Sequence, residues 1–394
     1  MGFLDLDRRI GVVVAANFLA VAARMSLVTF LGIYFVRVAG ISLATVGLAF
    51  LLESLLRGVA APLFGALSDR IGRRPLLLVS ALFTSAALPC FLLVSGPVSL
   101  FAWSTAMGIA GAVNMPVATA QLLDLAPPER RQAVLALNYT GMSVAYTLGV
   151  MPAGYVAEQG YGLLAAISSA GYLLVAALYA AGLRRTPAVE RARGEETVFI
   201  STLSVMRDRA FLSFAALAFI FPFAMGQIVT ASPLFAAEQG LGEGYIGLVL
   251  GGNSIIVAAL AVPVAARIEP MGPFRMLGWA ALLVSLAFCC YARVPGAAAA
   301  YMAGTVVFSF GELVFSSAVP AAVARLAPPG RRGAYQGGWA LVSSLSMGSA
   351  LALSGLLSDA IGWHNVWLAY AAMILAAAVA LFAARKKLLE RVSG

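Results

Sequence analysis

The chain has 394 residues, 61% of them apolar, with 26 Lys and Arg against 17 Asp and Glu, one His and three Cys. A formal charge of +9 would suit a nucleic-acid partner, but most of the basic residues stand in short loops between long apolar stretches, where they act as membrane-orientation signals. The single His364 and the three cysteines Cys90, Cys289 and Cys290 offer neither metal-ligand spacing nor a disulfide framework, so no metal and no cofactor are expected.

Twelve apolar stretches follow one another at 10–37, 43–67, 75–95, 97–123, 132–158, 160–183, 210–237, 244–266, 275–292, 296–323, 333–358 and 362–384. Each is close to the roughly 20 residues that cross a hydrocarbon core as a helix. The fold class expected is therefore an all-α membrane protein of twelve transmembrane helices. The loops holding Arg8, Arg9, Arg70, Arg73, Arg74, Arg130, Arg131 and their second-half counterparts fall on one side, with Arg37 and Arg293 on the other. That bias places both termini in the cytoplasm and the chain, multi-pass, in a cytoplasmic (inner) membrane. The first stretch is too long for a signal peptide, and a charge lies at its middle, so it is expected to be retained.

Two loops read almost alike. Leu125-Ala126-Pro127-Pro128-Glu129-Arg130-Arg131 recurs 201 residues later as Leu326-Ala327-Pro328-Pro329-Gly330-Arg331-Arg332. A stop-and-turn signal alone would explain one such loop but not the shared register. The chain is thus expected to be duplicated, with a six-helix bundle over 1–183, a cytoplasmic linker over 184–209 and a second six-helix bundle over 210–394. The end of the linker, Val198 to Met206, has the pattern of a short amphipathic helix at a membrane surface.

Charges at membrane depth are costly and face a protein interior or a wet cavity. Four fall mid-span: Arg24 in the first stretch, Glu53 and Arg57 in the second, and Glu312 in the tenth. Glu53 and Arg57 are four apart on one helix and share a face, in the favourable order for pairing. Arg24 joins them if the first two spans are adjacent. This group reads either as a charge-balanced cluster holding two helices together or as a polar patch in a binding cavity, with Glu53 a proton site or a counter-ion. Glu312 has no basic neighbour in sequence, and its counterpart in the first half is Gly111. It reads either as an unpartnered carboxyl able to exchange a proton or as a permanently protonated one hydrogen-bonded in a helix contact. Asn17, Asn114, Gln227 and Asn253 are further candidate cavity residues, each equally explained by hydrogen bonds between helices.

After the second stretch stands Gly65-Ala66-Leu67-Ser68-Asp69-Arg70-Ile71-Gly72-Arg73-Arg74-Pro75. With the twelve stretches, the duplication and Pro128-Glu129-Arg130-Arg131 after the fourth, this closely resembles the signature loop of the major facilitator superfamily. The resemblance spans the chain. It implies a cytoplasmic gate made by Gly65, Asp69, Arg70, Gly72, Arg73 and Arg74, with Asp124, Glu129, Arg130 and Arg131 nearby. Gly65 and Gly72 would allow close helix approach and a tight turn. Asp69 would meet the start of the eleventh span near Gly333 to Gln336. The second-half equivalent, Arg267-Ile268-Glu269-Pro270-Met271-Gly272-Pro273, lacks the aspartate arrangement.

Within that family the chain is most similar to twelve-span drug:proton antiporters, on Gly311-Glu312, Arg332-Gly333-Ala334-Tyr335-Gln336-Gly337 and Val205-Met206-Arg207-Asp208-Arg209-Ala210-Phe211. It departs from them at Ser104, where they carry arginine, and at Gly149-Val150-Met151-Pro152-Ala153-Gly154, a rearranged form of their fifth-span motif. The resemblance implies a monomeric secondary transporter rather than an enzyme, moving a small molecule and protons by alternating access. Proton-coupled efflux of amphipathic molecules is the expected function, with Phe221, Phe223 and Met225 lining an adaptable pocket. A proton-driven importer or facilitator of an organic anion, or a lipid translocator, are the alternatives.

Overall fold

The computed structural model describes residues 7–183, 204–294, 298–328 and 331–393. The greater part of the 184–209 linker, including the start of its amphipathic segment, lies outside the described residues. Among the described residues the secondary structure is helical, as a bilayer requires of a spanning chain whose backbone groups must be satisfied within each segment. Eleven helices among them are long and apolar enough to cross a membrane. In chain order they are α1 (Arg8–Ile33, extended by a wide turn over Tyr34–Val38), α2 (Leu43–Ile71), α3 (Arg73–Ala87, tightening over Leu88–Leu93), α4 (Pro97–Leu125), α5 (Arg131–Gln159) and α6 (Tyr161–Gly182). Then follow α7 (Arg209–Glu238), α8 (Glu243–Ile268), α9 (Pro273–Tyr291), α10 (Ala298–Leu326) and α11 (Arg332–Ser393).

The last two of the twelve expected stretches follow each other without a loop over Arg332–Ser393, parted by a kink at Gly362, whose φ of 74° is not helical. A glycine reaches that conformation without steric cost, so the chain turns there without spending loop residues. The seventh stretch also differs, being broken by a π-turn over Gln227–Ala231. Pro233 explains it: its missing N–H cannot bond the carbonyl four residues back, and the ladder widens locally.

Among the described residues, the positive-φ glycines pair across the chain. Gly40, Gly72 and Gly160 have counterparts 200 to 202 residues later in Gly240, Gly272 and Gly362. The degenerate second-half loop has therefore kept its turn at Gly272 while losing the charge arrangement that Gly72 carries. At the N-terminus, Asp7 caps α1 by accepting from the Arg9 amide at 2.9 Å. The hydrogen bond from the Arg9 side chain holds its carboxyl below the ordinary carboxylate value.

The contacts divide the chain into two compact units. The first comprises Met1–Ile41, Leu52–Glu195 and Gly242–Ser254, the second Ser42–Leu51, Glu196–Leu241 and Ile255–Gly394. In the first, α1 packs on α5 and α6, and the N-terminal part of α8 lies against α5. A Cβ on Gly154 would overlap the Glu243 carbonyl oxygen, and one on Gly251 would stand 2.7 Å from the Met151 Cβ. Small residues allow this approach, which is how helices associate where no hydrophobic force separates protein from lipid. Two polar contacts finish the crossing: the Gly244 amide donates to the Glu158 carboxylate at 2.8 Å, and the Tyr161 hydroxyl donates to Glu243 at 2.7 Å.

In the second unit, α9 packs on α10 and α11, and the start of α2 meets α11. A Cβ on Gly355 would come within 2.6 Å of the Ala44 amide. Gly355 is 201 residues from Gly154 and performs the same seating.

A large side chain at Gly154 must push α8 away, since backbone cannot yield as a side-chain tip can. Gly154→Val is expected to cost about 1–3 kcal/mol or more, seen as a fall in the thermal midpoint of detergent-purified protein. Gly252→Ala on α8, with open space around it, should leave the midpoint unchanged or raised.

Candidate functional site

The first unit gathers three of the four mid-span charges. Arg24 reaches from α1 to α2, where its Nη2 donates to Glu53 Oε1 at 2.6 Å. Arg57 Nη2, one turn further along α2, donates to the same oxygen. One carboxylate oxygen thus bridges two guanidiniums, and the group carries two positive charges against one negative. The side chains of Arg24 and Glu53 are 16% and 9% accessible, whereas Arg57 keeps 38%. The group is neither sealed nor freely solvated.

Helix α4 makes room for it. A Cβ on Gly108 would stand 2.7 Å from the Glu53 carbonyl, and one on Gly111 would stand 3.1 Å from Arg57 Nε and 3.7 Å from Arg24 Nη1. Arg57 Nε is buried without a hydrogen-bond partner. Beside Arg24 and Glu53 opens a small cavity, large enough for about one water molecule. Its other walls are Leu27, Val28, Leu31, Leu88, Trp103, Met107 and Tyr172. Trp103 is fixed by donating its indole N–H to the Ala87 carbonyl at 3.0 Å. Two charged side chains among apolar and aromatic ones give the cavity an amphipathic lining.

The signature loop forms a second cluster in the same unit. Gly72, at φ 90°, reverses the chain so that Arg73 folds back on the end of α2. Its guanidinium lies 3.2 Å from Asp69 and donates to Ser68 Oγ at 3.1 Å and to Asp124 at the end of α4. Arg74 donates instead to the carbonyls of Tyr179, at 3.4 Å, and Ala180, at 2.6 Å. There a cation meets the negative end of α6. Gly65 does not act as expected: a Cβ there would have nothing within 4 Å, so no close helix approach depends on it. Arg70, Glu129 and Arg131 are exposed and Arg130 half-buried. Among the described residues, the ion pairs of this region run through Arg73.

The neutral polar candidates divide. Asn17 Nδ2 donates to Asn138 Oδ1 at 2.8 Å across α1 and α5, both residues buried. Asn114 accepts from the Tyr179 hydroxyl at 3.2 Å. Gln227, in the second unit, donates to the Ala350 carbonyl at 3.0 Å and accepts from Ser354 at 2.9 Å, so it ties α7 to α11. Asn253 is buried on the part of α8 that belongs to the first unit. Phe221 and Phe223 do not line an adaptable surface. Both are 1% exposed, in ring contact with Phe315 and Tyr370 respectively, while Met225 is half-buried.

Glu312 belongs to the second unit. It is half-buried and not without an interaction partner, which corrects the reading of it as an unpartnered carboxyl. Gly311 beside it explains part of its setting, since a Cβ there would lie 2.9 Å from Val284 and hold α10 off α9. Sequence reading missed Asn138, Tyr172, Ser68, Gly108 and the role of Gly111. A polar residue within a span could have flagged Asn138; the α4 glycines carry no signal without knowing what faces them.

The family described as the Major Facilitator Superfamily matches residues 13–277 and, overlapping them, 236–394. Among curated proteins, the chain is 25% identical over 370 residues to a Na(+), Li(+), K(+)/H(+) antiporter of Planococcus maritimus, covering 85% of this chain and 86% of that one. It is 24% identical over 342 residues to the multidrug resistance protein MdtH of Edwardsiella ictaluri (strain 93-146), covering 86% and 83%. Among solved structures, the nucleoside transporter NupG superposes with a TM-score of 0.80 at 13% identity, over 96% of this chain and 99% of that chain. A peptide transporter POT in complex with sulfate does so with 0.79 at 16%, over 100% and 97%. At such identity the structures show the fold alone. The family match reaches across nearly the whole sequence, and the chain belongs to the major facilitator superfamily: it is a multi-pass membrane transporter, not an enzyme.

Proposed function

We propose that this protein is a proton-coupled antiporter that exports amphipathic small molecules by alternating access. The observation that carries the reading is the Arg24–Glu53–Arg57 group, held at mid-span beside an amphipathic cavity. Burying three charges there costs several kcal/mol per ion before their attraction repays it, and two helices could be joined far more cheaply by apolar contacts. Relatives described as an ion/H(+) antiporter and a multidrug resistance protein support antiport and outward direction.

In this reading Gly362 divides α11 into two spans, giving twelve. Residues 1–183 and 210–394 are then the two rocking bundles, joined by 184–209, as in parallel-repeat transporters with a midplane site. The arginine bias supports an inner-membrane location with both termini in the cytoplasm, and the protein is read as a monomer. Asp69, Arg73 and Asp124 form the cytoplasmic gate. Glu53, engaged by two guanidiniums, serves as counter-ion, and Glu312 exchanges the proton.

The surplus positive charge favours a second reading, a proton-driven importer or facilitator of an organic anion. Proteoliposomes separate the two. An imposed pH gradient should drive amphipathic substrate against the proton flow, with matching alkalinisation or acidification of the lumen. Cotransport with protons would establish the second reading, and no gradient-dependent movement of any substrate would remove proton coupling.

A further inference from the structure

We infer that the Arg24–Glu53–Arg57 site selects a monoanionic amphiphile, so that the transported class is an acid carrying an apolar body and not the cationic drug that a multidrug relative would suggest. The inference rests on the reading above in one respect, that this cluster is a substrate site. Three independent features of the site converge on it.

The first is charge. Two guanidiniums share one carboxylate, leaving one positive charge uncompensated, so a single anionic group would bring the site to neutrality. A cation would add to that excess in a medium that screens poorly. The second is donor capacity. Each guanidinium offers five N–H donors, and the described hydrogen bonds to Glu53 spend one of each, both on Oε1. Arg57 Nε is buried with no partner at all. Charge-assisted, two-pronged hydrogen bonding to a carboxylate or sulfonate is what an unspent guanidinium fork provides.

The third is packing. Position 111 on α4 is glycine where a Cβ would crowd Arg57 Nε at 3.1 Å and Arg24 Nη1 at 3.7 Å, so the α4 backbone lies close to both cations and any larger residue there would displace them. Leu27, Leu31, Trp103 and Met107 line the one-water cavity beside Arg24 and Glu53, which must widen to take an apolar body. Because Glu53 already occupies both guanidiniums, it competes with the ligand. The incoming anion must displace part of that contact, and removing the carboxylate should strengthen binding.

The test uses one ring with four headgroups: 2-naphthalenesulfonate, 2-naphthoate, 2-naphthylmethylammonium and 2-naphthol, each titrated calorimetrically into purified full-length protein. The two anions should bind about tenfold or more tighter than the matched cation and the neutral alcohol, a difference of about 1.4 kcal/mol. Glu53→Gln should tighten anion binding further while leaving 2-naphthol unchanged. If that variant fails to fold, Gly111→Ala decides, weakening the anions selectively. Equal or tighter binding of the cation overturns the inference, as does a Gly111→Ala effect of the same size on 2-naphthol. Export of a cationic dye under a pH gradient, with no anion binding, would sink this inference and leave the antiporter reading standing. Anion binding without gradient-driven movement would do the reverse.

Discussion

Glu53→Ala is expected to destabilise the protein by about 3 kcal/mol, toward the lower end of what removing one partner of a buried ion pair costs. The reason is the bridging geometry. Both Arg24 and Arg57 donate to the same Glu53 oxygen, so one substitution leaves two mid-span cations without their carboxylate. Arg57 retains 38% of its side-chain surface, and its partial access to solvent keeps the penalty from reaching the upper end. The readout is the folded fraction and thermal midpoint after extraction. Replacing all three together by apolar residues of similar size, Arg24→Met, Glu53→Leu and Arg57→Met, should recover most of the loss, because a buried triad exchanged for apolar packing is often neutral or better. The effects are strongly non-additive, as expected for groups in one network. The folded triple variant then separates cohesion from function: it should transport nothing. A triple variant that still transports would show that the cluster serves only to hold α1 to α2.

The all-helical membrane class was legible because its cause is one-dimensional. Apolar length, arginine position and a 201-residue repeat are written along the chain, and the bilayer permits few ways to satisfy them. The same logic found Glu53 and Arg57 on one helical face, since a four-residue spacing fixes a face regardless of tertiary context. What a linear reading could not supply was the third dimension. Nothing in the run around Gly108 and Gly111 states that α4 passes under the guanidiniums, and nothing near Tyr172 places it beside Arg24. Phe221 and Phe223 read as pocket walls because aromatic residues suit both pocket and core, and burial alone decides between them. The family pattern assigns Gly65 a close approach, yet a Cβ there would touch nothing within 4 Å. At Gly362, where the last apolar stretch begins, a single non-helical residue parts two helical segments.

Glu312→Gln should abolish gradient-driven accumulation while leaving exchange intact. With the membrane potential clamped at zero, one proton moving down one pH unit supplies about 1.4 kcal/mol, enough to hold at most about a tenfold substrate gradient. A glutamine keeps the volume and the hydrogen-bonding capacity of the side chain, so α10 should pack as before against α9, where Gly311 sets the spacing. What it lacks is an exchangeable proton. Proton and substrate are linked only if each changes the other's binding free energy, and an amide that cannot change charge cannot carry that linkage. The variant should therefore equilibrate labelled substrate across proteoliposomes at equal pH within about a factor of two of the parent rate, yet show no accumulation when the gradient is applied. Retention of the full gradient in Glu312→Gln, with its loss in Glu53→Gln, would move the coupling site into the α1–α2 cluster. Retention in both would mean that neither carboxylate carries the proton and that the linkage runs through another group.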